Sequence, residues 1–112
     1  MVELVSVRLA AEWTTDPLWV SKGDDPIPAN YSAQRLRSDF GVPAELASAI
    51  DAWDAEFQSV YNRDDPAESG FTDESVADAW DERGQRLAEA LAGALGVRVE
   101  FHTAAGDRVF GG

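Results

Sequence analysis

The sequence contains no cysteine, one histidine and, among nine basic residues, a single lysine. Without cysteine the chain forms no disulfide and offers no thiolate, which excludes thiol redox chemistry, cysteine-based zinc sites and cysteine hydrolases. No stretch approaches the roughly 18 apolar residues of a membrane-spanning helix, and the N-terminus lacks the basic and then apolar layout of a signal peptide. These absences predict a cytoplasmic protein that does not associate with membranes.

Basic residues are strongly outnumbered, because 21 Asp and Glu residues against nine Lys and Arg give a net charge of −12. A field of that sign repels phosphate groups, so nucleic acids and anionic membrane surfaces are disfavoured as partners. A basic protein partner is favoured instead, although acidic residues also keep a small protein soluble. The charge alone leaves open whether the acidic surface is functional or only solubilising.

The clearest pattern runs from Thr72 to Thr103. Thr72 is a suitable N-cap, and two acids follow it where the positive end of the helix dipole favours negative charge. Apolar and small residues then recur at three- and four-residue steps and predict one buried helical face: Val76, Trp80, Gly84, Leu87, Leu91 and Leu95. Gly96 predicts the helix end, since the left-handed C′ position favours glycine. Residues 97–103 alternate with the period of a strand that has one buried face.

Two strands and a loop are predicted before the helices. Residues 2–13 alternate as a first strand, and residues 18–20 form a short apolar run that fits a second one. Residues 21–30 contain two prolines, a glycine and two adjacent acids, which predict a loop.

Two further helices and a last strand complete the pattern. Residues 32–40 predict a short helix capped by Asn30 or Ser32. Residues 43–62 predict a long helix, whose apolar residues recur at helical steps: Leu46, Ile50, Trp53, Phe57 and Tyr61. Residues 108–110 are predicted to return beside the strand 97–103.

This order of elements predicts a single α+β domain over residues 1–112. A small antiparallel or mixed sheet of about three or four strands would carry both long helices on one face, as a two-layer sandwich.

No catalytic constellation is apparent in the sequence. His102, the only histidine, lies on the strand parity that faces away from the predicted core, so we expect a solvated side chain. The serines lack the Gly-x-Ser-x-Gly pattern of a nucleophile elbow. Five acids cluster near one connection without the ligand spacing of a calcium loop: Asp64, Asp65, Glu68, Asp73 and Glu74. The sequence therefore predicts no catalytic, cofactor-binding or metal-binding residue.

Aromatic and acidic residues suggest a protein-binding surface instead. Trp53 and Trp80 lie on inward helical stripes and are predicted to be core, whereas Trp13 and Trp19 flank a turn. Trp19 is the tryptophan least explained by a helical stripe. We predict it as an aromatic anchor for a partner, with packing over the helix pair as the alternative. The acids predicted to meet the partner lie on the helix 43–62 and in the loop after it: Asp51, Asp54, Glu56, Asp64 and Asp65.

Several short stretches carry a resemblance to known proteins: Pro17-Leu18-Trp19-Val20, Phe40-Gly41-Val42-Pro43, Asp51-Ala52-Trp53 and Ala79-Trp80. On these the chain resembles a loose group of short, acidic, uncharacterised proteins from GC-rich bacteria, and its size and charge are similar to those of immunity proteins that neutralise a basic toxin. The resemblance implies a non-enzymatic protein-binding module, an immunity or antitoxin-like inhibitor. Two alternatives stay open: a structural or regulatory subunit that forms a homodimer through a sheet edge, and a small enzyme.

Overall fold

The computed structural model describes residues 3–12, 15–23, 25–60, 73–103 and 106–111. In these ranges the chain forms five strands and three helices: β1 (Leu4–Ala10), β2 (Leu18–Lys22), β3 (Asp25–Tyr31), α1 (Ala33–Phe40), α2 (Ala44–Gln58), α3 (Glu74–Leu95), β4 (Arg98–Thr103) and β5 (Gly106–Phe110).

The strands form one mixed sheet in the order β3-β2-β1-β4-β5. β1 pairs parallel with β4, and the remaining neighbours pair antiparallel. The predicted α+β class and the return of residues 108–110 beside β4 are therefore confirmed. All three helices contribute side chains to the same buried cluster as one face of the sheet.

The prediction of three or four strands is wrong, because residues 25–31 form a fifth strand where a loop was expected. Pro26 and Pro28 misled the prediction, since proline cannot donate to a ladder and usually marks a loop. β3 lies at one edge of the sheet and pairs only with β2. An edge strand needs N–H groups on one side only, so prolines are tolerated there.

The helix ends follow the expected local chemistry with small shifts. Ser32 caps α1 by accepting a hydrogen bond from the Arg35 N–H at 3.1 Å. Asp73 caps α3 through the Ser75 N–H at 2.9 Å; Thr72, the predicted cap, lies outside the described residues. Gly96 ends α3 with φ 67°, as predicted, and α2 ends earlier than expected, at Gln58. None of the helices in the described ranges is long and apolar enough to cross a membrane.

Two tryptophans join α2 to α3 in the core. Trp53 donates from Nε1 to the Trp80 carbonyl at 2.9 Å, and Trp80 donates from Nε1 to the Trp53 carbonyl at 3.0 Å. Their rings stack with centroids 4.3 Å apart, and Phe57 stacks on Trp80. Each indole thus buries its apolar area while its N–H keeps a partner. The prediction that both tryptophans are core is confirmed.

Two residues predicted to face the core are exposed. Val5 shares the parity of the buried Val7 and Leu9, so the two-residue period of the first strand places it towards the core. It is 53% exposed because an irregularity in the pairing of β1 with β2 lies between Leu4 and Ser6 and shifts the alternation. Val76 is 43% exposed in the first turn of α3. Further along the same helix, Ala88 and Ala92 are buried, so the buried face of α3 is rotated from the predicted one and includes these small residues.

Candidate partner-binding surface

The acids predicted on α2 lie on two different sides of the helix. Asp51 and Asp54 are three residues apart and share one side, where Gln58 follows one turn later. Glu56 lies on the other side, which faces α3. The two groups have different electrostatic environments.

Asp54 is half-buried and lies next to other acids. Burial raises the pKa of its carboxyl group, and repulsion from Asp16 and Asp51 raises it further, while a hydrogen bond from Gln58 opposes the rise. Gln58 donates from Nε2 to the Asp54 carboxylate at 3.3 Å and to the Glu12 carbonyl at 2.7 Å. The end of α2 is thereby tied to the segment after β1.

Asp16 belongs to the turn between β1 and β2, which Asn30 ties to β3. The Asn30 amide donates from Nδ2 to the carbonyls of Asp16, at 2.7 Å, and Leu18, at 3.1 Å. Its Oδ1 accepts from the Thr15 hydroxyl at 2.9 Å. An open, polar depression of about 390 Å³ is lined by Thr15, Asp16, Asn30 and Gln58.

We call Asp16, Asp51 and Asp54 the acidic surface. Asp51 accepts a hydrogen bond from Gln34 Nε2 at 2.8 Å, a neutral donor. Within the described part of the chain, no Lys or Arg forms an ion pair with any of these three acids. None of the described Lys and Arg residues therefore compensates their negative charge.

Glu56, in contrast, is paired within the molecule. The Arg83 guanidinium donates to its carboxylate at 2.9 Å, and this bond raises the pKa of Arg83. One turn later on α3, Arg86 pairs with Glu82 at 2.6 Å. The structure therefore does not bring Glu56 together with Asp51 and Asp54.

Trp19 lies on the sheet face away from the helices. Its neighbours in β2, Leu18 and Val20, are buried in the core, and successive strand residues point to opposite faces. Trp19 is half-buried opposite Arg8 of β1, which pairs with Glu100 at 3.8 Å. Its predicted role as a partner anchor stays a prediction, on a different face from the acidic surface.

The remaining sequence-based assignments concern loops and chemistry. Asp64, Asp65 and Trp13 lie outside the described residues. His102 is exposed on β4, and its Nδ1 contacts the Asp107 carboxylate of β5. Among the residues that the structure describes, no three His, Asp or Glu side chains are grouped to hold a metal ion.

Sequence reasoning missed Asp16, which lies in the turn between Trp13 and Trp19. Its position directly before Pro17 marks a turn, but its proximity to Asp54 joins residues far apart in the sequence and no local pattern predicts it.

Fold and surface together define a class: a small α+β domain that carries, on the solvent-facing side of α2, acids for which the described residues offer no cationic partner. Residues 5–103 match the family described as Serratia CdiI immunity protein-like, and the chain belongs to this family. Immunity proteins bind a protein partner, a toxin, and are in general non-enzymatic, so family membership indicates a toxin-binding, inhibitory role. No curated protein shows significant similarity to the sequence.

Proposed function

We propose that this protein is an immunity protein that inhibits a basic toxin by binding it through the acidic surface of Asp16, Asp51 and Asp54. The observation that carries the proposal is the environment of Asp54. Its carboxyl group is half-buried beside two other acids, and no described cation compensates it. We also propose that the protein acts in the cytoplasm.

A cationic side chain of the toxin would remove the electrostatic cost at Asp54. A guanidinium or ammonium group placed between Asp51 and Asp54 favours both carboxylates and lowers the raised pKa of Asp54. Part of the free energy of binding would thus come from relief of the repulsion between these carboxylates in the free protein. Asp54 is expected to release any bound proton when the complex forms, because the complex favours its ionised form.

The net charge of −12 also favours a fast encounter with a basic partner. Such attraction is screened over about 8 Å at physiological salt, so it acts mainly on the association rate and weakens as salt rises. Asp64 and Asp65 follow α2 in the sequence, and we keep them in the proposed surface on that ground alone. Glu56 would act only indirectly in toxin binding, by forming an ion pair with Arg83.

The experiment starts with the product of the gene next to this one. We expect this product to arrest bacterial growth and co-expression of the present chain to restore it. We also expect the two purified proteins to form a complex. Binding kinetics are then measured at low and high salt for the parent and for the double variant Asp51→Asn/Asp54→Asn.

A matched control removes the same charge elsewhere. Asp78→Asn/Glu89→Gln neutralises two exposed acids of α3. We expect a slower, less salt-dependent association for the α2 variant than for this control. Equal association rates for both variants would mean that only the total charge of the protein matters. A growth arrest by the adjacent gene product that co-expression of the chain does not relieve would reject the immunity function.

A further inference from the structure

A groove runs along the outer side of the α2 and α3 pair, opposite to the acidic surface. It encloses about 380 Å³. Ala49 and Ala52 of α2 and Leu87 of α3 line it together with the buried Trp53. The two alanines are exposed, so the helices leave apolar space between them that nothing in the described residues fills.

The charged groups around this groove are compensated. Arg83 and Arg86 also line it, and each is paired with a glutamate, Glu56 or Glu82. A partner's apolar side chain can therefore enter without leaving an unpaired charge against it, which would otherwise be costly. In a chain of net charge −12, this makes the groove electrostatically different from the acidic surface.

The solvent-exposed side of α2 lies between these two surfaces and forms a ridge. Residues three apart share a side of a helix, so Ala49 and Ala52 face the groove while Asp51 and Asp54 face the other way. Between them the ridge carries small exposed residues such as Ser48 and Ala55. Small side chains allow a partner's backbone to approach closely and to contact both sides at once.

We infer that the groove receives an apolar side chain from a toxin segment that crosses α2 and places a basic side chain against Asp51 and Asp54. Charge complementarity selects this occupant: acids without a described cationic partner favour a cation on one side of the ridge, and the apolar groove with its paired charges favours an uncharged group on the other. The inference rests on the proposed function. It divides the roles between the two sides, because long-range attraction sets the association rate, whereas a buried apolar anchor slows dissociation.

The test fills the groove and measures both rate constants against the immobilised product of the adjacent gene. Ala49→Leu/Ala52→Leu places larger apolar side chains where the toxin's side chain would lie. Ala94→Leu, at an exposed position near the end of α3, makes the same kind of change outside the groove. Urea unfolding and near-ultraviolet circular dichroism show that the variants keep the fold, and the single variant Ala52→Gln replaces the double one if it unfolds.

We expect the groove variant to dissociate about tenfold faster than the parent, with little change in association, since interface changes act mostly on dissociation. Ala94→Leu should dissociate like the parent. If the groove variant dissociates at the same rate as the parent while Asp51→Asn/Asp54→Asn still slows association, the toxin does not occupy the groove and the proposed function stands. If the parent chain forms no complex with this product, the proposed function fails, and the inference fails with it.

Discussion

Gly84 of α3 lies where a side chain does not fit. A Cβ built on it would lie 2.6 Å from Phe101 Cζ and 2.7 Å from Trp53 Cζ2. Carbon atoms pack best at about 3.5–4.0 Å, so either the rings or the helix must move in Gly84→Ala. Both rings are confined: Phe101 is 1% exposed, and Trp53 is hydrogen-bonded to and stacked on Trp80.

The expected loss of stability follows from two opposing contributions. Overpacking a filled core costs about 1–3 kcal/mol, and the constrained rings favour the upper part of this range. Alanine recovers about 1 kcal/mol over glycine inside a helix. We therefore expect Gly84→Ala to lower the free energy of unfolding by about 1–2 kcal/mol, which corresponds to roughly 4–8 °C in Tm per kcal/mol for a domain near this size.

The same helix provides a matched control in Gly93. It is exposed, and an added Cβ there meets no atom within 4 Å. Gly93→Ala should therefore raise stability by about 0.5–1 kcal/mol through helix propensity alone. Urea unfolding at 25 °C, followed by tryptophan fluorescence and far-ultraviolet circular dichroism, measures both variants. Two variants that are equally stabilised would refute the close contact of α3 with Phe101 and Trp53.

Three further predictions address the core and the acidic surface. Leu91 is fully buried, so Leu91→Ala should cost about 2–5 kcal/mol, and an unchanged urea midpoint would contradict this. Asp54→Asn should be more stable than the parent at pH 7, because folding raises the pKa of Asp54 and thus disfavours its ionised form. The gain in stability over the parent should shrink as the pH falls through the raised pKa of folded Asp54 and then below 3.8, because the parent's carboxyl group is then protonated in both the folded and the unfolded state. A difference in stability that does not change with pH would argue against this explanation. Trp53→Phe should weaken the near-ultraviolet dichroism of the stacked indoles and lower stability by about 1–3 kcal/mol, since the bond from the indole to the Trp80 carbonyl and part of the stacked area are lost. An unchanged spectrum would count against the stacked pair.

Local periodicity was sufficient for α2, α3 and β4. Ile50, Trp53, Trp80 and Leu91 are buried as their spacing predicts, because a helix presents every third or fourth residue to the same side. Gly96 ended α3 for an equally local reason, its left-handed backbone. Such features depend on a few neighbouring residues and are therefore present in the sequence.

β3 shows where local reasoning ends. Its prolines favour a loop, yet pairing with β2 on one side is enough to keep residues 25–31 extended at the sheet edge. The parallel pairing of β1 with β4 is also non-local, because the two strands are separated by all the helices. No short-range pattern specifies which strands become neighbours.

The acidic surface divides in the same way. The sequence identified Asp51, Asp54 and Glu56 as acids of the helix 43–62 and grouped them in one surface. Only the tertiary structure placed Asp16 near Asp54 and paired Glu56 with Arg83, 27 residues away. The charge of a side chain is a property of its residue type, but whether that charge is compensated depends on which distant residues the fold brings within a few ångströms.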